Sequence, residues 1–66
     1  MNSTTNEPER LERPSELAAR IGKPERTLAQ WRYLGTGPAY IKIGKHVRYR
    51  RSDVDAWLER QTVQTG

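Results

Sequence analysis

From Pro14 to Leu58 the apolar residues fall into three helical stripes and one run of alternation. Leu17, Ala18 and Ile21 lie on one face of a short helix that the periodicity places from Pro14 to Ile21. Pro14 suits a first-turn position, and Gly22 suits the left-handed residue that ends a helix. A second helix opens at Pro24 and Glu25, carries Leu28, Trp31 and Leu34 at helical spacing, and closes at Gly35-Thr36-Gly37-Pro38. Ser52 is expected to N-cap a third helix, with Asp53 and Asp55 at its positive end and Val54, Trp57 and Leu58 as its core stripe. Between the second and third helices lies "IKIGKHVRYRR", Ile41 to Arg51, where apolar and basic residues alternate about a Gly44-Lys45-His46 turn. The alternation predicts a hairpin with Ile41, Ile43, Val47 and Tyr49 on one face and Lys42, Arg48 and Arg50 on the other. A lone hairpin is marginal in water, so the apolar face is expected to pack on the helices.

Residues 1–10 are polar, contain Pro8 and show no periodicity, which reads as a flexible tail. Residues 11–61 then form the one folded domain, and 62–66 a frayed end. Two short helices about three residues apart, with a Gly between them, make the pattern of a helix-turn-helix. The fold class is therefore α+β: two short helices, a two-stranded hairpin and a C-terminal helix.

Composition narrows the chemistry. A chain of 66 residues buries only about 60% of its unfolded surface, so its core is marginal. There is no Cys and His46 is the single His, which leaves no disulfide framework and no thiolate or His-cluster metal site. No apolar run exceeds three residues, and "MNSTTNEPER" lacks the apolar core of a signal peptide, so neither a membrane span nor export is expected and the location reads as cytoplasmic. Net charge is +4, unevenly spread. Residues 20–51 hold nine Lys or Arg against Glu25 alone, while both flanking stretches are net acidic. Such a concentration suits one surface that meets a polyanion.

The segments "SELAARIG", "TLAQWRYLGTGP" and "IKIGKHVRYRRSDVDAWL" together resemble the small winged-helix domains of the excisionase family, relatives of the MerR-type DNA-binding domain. The resemblance covers roughly residues 11–60. It rests on Thr-Leu-x-x-Trp in the second helix, a Gly-Pro loop, an apolar-basic hairpin, and an Arg-Ser-Asp start to the last helix. Two positions depart: Arg13 and Pro24 stand where the family often has a hydroxyl cap. The resemblance implies a winged helix-turn-helix that binds double-stranded DNA at the attachment sites of a prophage or integrated element. It further implies bending of that DNA, contact with an integrase, and adjacent copies cooperating along the site. A small transcriptional regulator with the same domain is the nearest alternative, and a protein-interaction module with an acidic partner is another.

On a helical wheel Leu28 and Trp31 centre the buried face of the second helix, with Thr27 and Leu34 on its flank. Arg26, Ala29, Gln30 and Tyr33 lie opposite. Arg26 and Gln30 stand at i, i+4 in the half of a recognition helix that reads base edges. Arg prefers guanine O6 and N7, and Gln pairs with adenine N6 and N7. Thr27 has two roles open to it, a phosphate contact or local capping. Tyr33 is either a DNA contact or an exposed ring.

On the hairpin, Lys42, Lys45, His46, Arg48 and Arg50 are candidate wing contacts, and the turn is sized to enter a minor groove. Arg20, Lys23 and Arg32 are candidate phosphate contacts, with solvated charge as the alternative. Trp31 and Trp57 fit core packing better than stacking on single strands, because each lies on an apolar stripe. No phosphate-cradling Gly-rich loop, metal site or nucleophile-base pair is expected, so the chain reads as a binding protein without cofactor and not as an enzyme.

Overall fold

The computed structural model describes residues 10–65. In chain order the elements are β1 (Leu11–Glu12), α1 (Pro14–Ile21), α2 (Glu25–Leu34), β2 (Ile41–Ile43), β3 (His46–Arg50) and α3 (Arg51–Gln61). Three helices pack with one antiparallel sheet of order β1-β3-β2, an α+β arrangement consistent with a small winged helix-turn-helix. Among the described residues no helix is long and apolar enough to cross a membrane. The predicted flexible tail lies outside the described residues except at Arg10.

The helices form where the pattern places them, and local chemistry explains their ends. At the start of α1 the Glu16 carboxylate accepts a hydrogen bond from the Arg13 backbone N–H at 2.9 Å. That contact supplies part of a capping box where no hydroxyl is present. Gly22 and Gly35 close α1 and α2 at φ 71° and 75°, donating their N–H groups back into the last turns. The third helix differs from expectation. It begins at Arg51, with Arg50 in extended geometry as its N-cap, so Ser52 stands inside the first turn. The reason is that β3 runs into α3 with no intervening loop, and the Arg51 N–H donates to the Arg10 carbonyl at 3.3 Å.

The core is built from Leu17, Ala18, Leu28, Tyr49 and Val54, with Ile21, Trp31, Val47 and Leu58 packed around it. Leu34, placed on the flank by its wheel position, is 58% exposed. The two indoles do not occupy the centre. Trp31 and Trp57 are half-buried and lie against each other, with ring centroids 5.3 Å apart. Gly37 makes room for this pair. A Cβ at Gly37 would stand 3.0 Å from the Cβ and Cε3 of Trp31, and the backbone there has φ 82°. Gly37→Ala is therefore expected to destabilise the domain by about 1–3 kcal/mol through combined overpacking and backbone strain, read as a lower urea midpoint with an unchanged slope.

The hairpin corrects the sequence reading of its faces. The turn contains two residues, Gly44 and Lys45, so Ile43 pairs with His46, Lys42 with Val47, and Ile41 with Arg48. Gly44 has φ 62° and Lys45 does not have positive φ, which matches the type II′ pattern of a two-residue loop. A three-residue turn would have set Ile43 opposite Val47. Shortening the turn by one residue shifts the register by one and exchanges the faces of one strand relative to the other. Lys42 therefore shares a face with Val47 and buried Tyr49, whereas Arg48 and Arg50 share theirs with Ile41, Ile43 and His46.

The sheet also holds a strand that the sequence did not announce. Leu11 pairs with Arg50 and Glu12 with Tyr49, which carries Glu12 onto the inner face of the sheet. Glu12 is 6% exposed, and the Arg20 guanidinium meets it from α1 with Nε on Oε2 and Nη2 on Oε1, both at 2.8 Å. Two residues are too few for alternation to register, so periodicity had nothing to detect.

Candidate nucleic-acid interface

Amphipathicity sets the outer surface of α2. Leu28 is fully buried in the core, and this turns Arg26, Ala29, Gln30 and Tyr33 to the opposite side, where all four are exposed. Tyr33 is 87% exposed, a large ring that the fold does not use. Thr27 is half-buried at the helix start, its N–H donating to the Pro24 carbonyl at 3.0 Å. Neither Arg26 nor Gln30 makes a side-chain hydrogen bond or ion pair with a described residue, so their donors face solvent. Lys23, in the turn between α1 and α2, is exposed, and its backbone N–H donates to the Ala18 carbonyl.

At the hairpin, Lys45 occupies the turn, with Lys42 and His46 beside it, and all three are exposed. Arg48 is half-buried, with Nη1 donating to the Val47 carbonyl at 2.8 Å. Arg50 forms an ion pair with Asp53 at 3.5 Å, at the start of α3. Lys42 and Lys45 have no ion pair with a described residue. The hairpin thus presents ammonium groups at its tip, while its two guanidinium groups lie nearer the root and have contacts within the molecule.

Two of the three expected phosphate contacts have internal partners. Arg20 is held by Glu12 in the bidentate pair described above. The hydrogen bond from Arg20 holds the Glu12 carboxyl below its ordinary pKa of 4.5, against the opposing effect of burial and with help from the charges of Arg20, Arg51 and Arg10. The same bond raises the pKa of Arg20. Arg32 reaches inward from α2, and its Nη1 donates to Tyr49 Oη at 2.8 Å. Its guanidinium carbon lies 5.8 Å from the centre of the Tyr40 ring.

These internal pairings escaped sequence reasoning because their partners have no helical spacing. Glu12 and Arg20 are eight residues apart, and Arg32 and Tyr49 are seventeen. The only available signal was that Tyr49, on a core-facing strand position, needs a partner for its hydroxyl once buried.

The resulting arrangement is one exposed helix face that carries Arg26 and Gln30, beside a connector and a hairpin tip that carry ammonium groups. A family model described as a helix-turn-helix domain matches residues 13–62, from the cap of α1 to the residue after α3. No curated protein matches the chain.

Proposed function

The chain belongs to the helix-turn-helix domain family, a DNA-binding domain found in excisionase-like proteins, and we propose that it is itself an excisionase. In this reading it binds double-stranded DNA at the attachment sites of a prophage or integrated element. It bends that DNA and contacts the integrase, so that excision is favoured over integration. The recognition helix is α2, with Arg26 and Gln30 on base edges and Tyr33 on a neighbouring phosphate or thymine methyl. Lys23, Lys42 and Lys45 lie along the backbone, with His46 beside the tip. Adjacent copies bind side by side, since one short recognition helix reads few base pairs.

The observation that carries the reading is the exposed face of α2, where Arg26 and Gln30 stand together without internal partners in a chain segment of strong positive charge. No acid-base pair or nucleophile is needed for this role, which is binding and not catalysis.

Recombination tests it. With integrase and a supercoiled excision substrate, the protein is expected to raise excision and lower integration, and footprinting on the same DNA should show protection that depends on Arg26. Altered transcription from a nearby promoter with recombination unchanged would instead identify a regulator. Failure to bind duplex DNA at low salt would favour a protein-interaction module.

A further inference from the structure

We propose that Arg32 is a positioning residue that sets the attitude of the hairpin wing relative to the recognition helix, and so lets both elements engage one duplex. The inference rests on the DNA-binding reading above and assigns Arg32 a role other than touching DNA.

The geometry is that of a clasp at the root of the wing. Around α2, Arg32 stands about 40° from buried Leu28 and about 120° from Arg26, so it leaves the helix at the edge of the core face. Its Nη1 donates to the hydroxyl of Tyr49, a side chain only 1% exposed. Its guanidinium lies 5.8 Å from the centre of the Tyr40 ring, and the Tyr40 and Tyr49 rings are themselves 6.2 Å apart. Tyr40 immediately precedes β2 and Tyr49 lies on β3, so one side chain of α2 holds both legs of the hairpin. A guanidinium can donate in its plane to a hydroxyl and stack its face on a ring; an ammonium cannot reproduce both.

Leverage gives the clasp its consequence. Tyr49 and His46 are three residues apart on β3, which is about 10 Å at the rise of a strand. A tilt of about 10° at the root would move the tip by about 2 Å. A hydrogen bond to a phosphate oxygen tolerates only a few tenths of an ångström. An unclasped wing would therefore keep its fold and its charge yet lose its fixed place relative to α2.

Spin labels test the placement without DNA, and the chain has no native Cys to interfere. Labels at Ala29→Cys and Lys45→Cys report the helix-to-wing distance, and labels at Ser15→Cys and Ala29→Cys report α1 to α2 as a control. Arg32→Lys and Tyr49→Phe are each expected to broaden the first distance distribution and leave the second unchanged. On random duplex, measured with the unlabelled native-sequence background, each should weaken binding about tenfold. Adding Lys45→Ala to either should remove almost none of the slope of log affinity against log salt, whereas Lys45→Ala alone should remove about 0.9.

Unchanged label distances would overturn the proposal. So would an Arg32→Lys variant that binds like the parent, or a Lys45→Ala effect that simply adds, since both are the behaviour of a direct phosphate contact. If the parent chain bound no duplex at all, the DNA reading would fall by itself, and the label distances would still decide whether Arg32 sets the wing.

Discussion

Arg20→Met should cost about 3 kcal/mol, a large part of the stability of a domain this small. The substitution keeps most of the side-chain length but leaves the Glu12 carboxylate without the two hydrogen bonds that now satisfy both of its oxygens at 2.8 Å. Removing one partner of a buried pair costs more than the pair contributes, because the remaining charge is still out of water. Glu12 is 8% exposed at its side chain and Arg20 29%, which sets the expectation at the lower end of the usual range.

Acidity provides a second readout with a defined sign. In the native protein the folded pKa of Glu12 lies below the ordinary value of 4.5, so its stabilising contribution is complete above that value and is lost as pH falls through the folded pKa. In Arg20→Met the hydrogen bond and the charge of Arg20 are gone while burial still opposes ionisation, so the folded pKa of Glu12 should rise from its native position. The stability that Glu12 contributes above its folded pKa should then shrink, so the variant should lose less stability than the parent as the pH falls through 4.5. Urea titrations at neutral pH and at two acid values would show it. If parent and variant lost stability in parallel on acidification, Glu12 would not be the group responsible.

The second large effect concerns DNA. In the proposed reading, Arg26→Ala and Gln30→Ala should each cost about 1–3 kcal/mol on the attachment-site DNA and flatten discrimination at one base pair. Lys45→Ala should weaken binding to every duplex alike and lower the salt slope by about 0.9. The contrast follows from placement. Arg26 and Gln30 project together from one helix face, whereas Lys45 sits alone in a turn whose shape is set by Gly44. Melting curves for each variant separate binding from folding, and a scrambled duplex defines non-specific affinity. If Lys45→Ala changed sequence preference while Arg26→Ala lowered all affinities equally, the roles of helix and wing would be reversed.

The helices were legible because their signals are local: an apolar stripe, a Pro at the start, a Gly at the end. The exposed face of α2 follows from the same stripe, which places Arg26, Gln30 and Tyr33 outside on the sequence alone. The hairpin was legible as a hairpin but not in its register. Gly44-Lys45-His46 fits a two-residue or a three-residue turn, and choosing between them decides which strand faces pair. Ser52 was read as a cap because Ser often is one, but the strand feeds α3 one residue earlier than a cap at Ser52 requires. Nothing local marked Glu12, Arg20, Arg32 or Tyr49 as partners, since each pair joins elements that meet only after folding.

Strand β1 pairs with β3 across the intervening α1, α2 and β2, so its contacts close a long loop. Closing a long loop is entropically costly and is rewarded here only once β3 already exists. Docking of β1 is therefore a late event in folding and its release an early one in unfolding. The Glu12–Arg20 pair, which depends on that docking, acts as a brake on the escape from the native state and contributes little to the speed of reaching it.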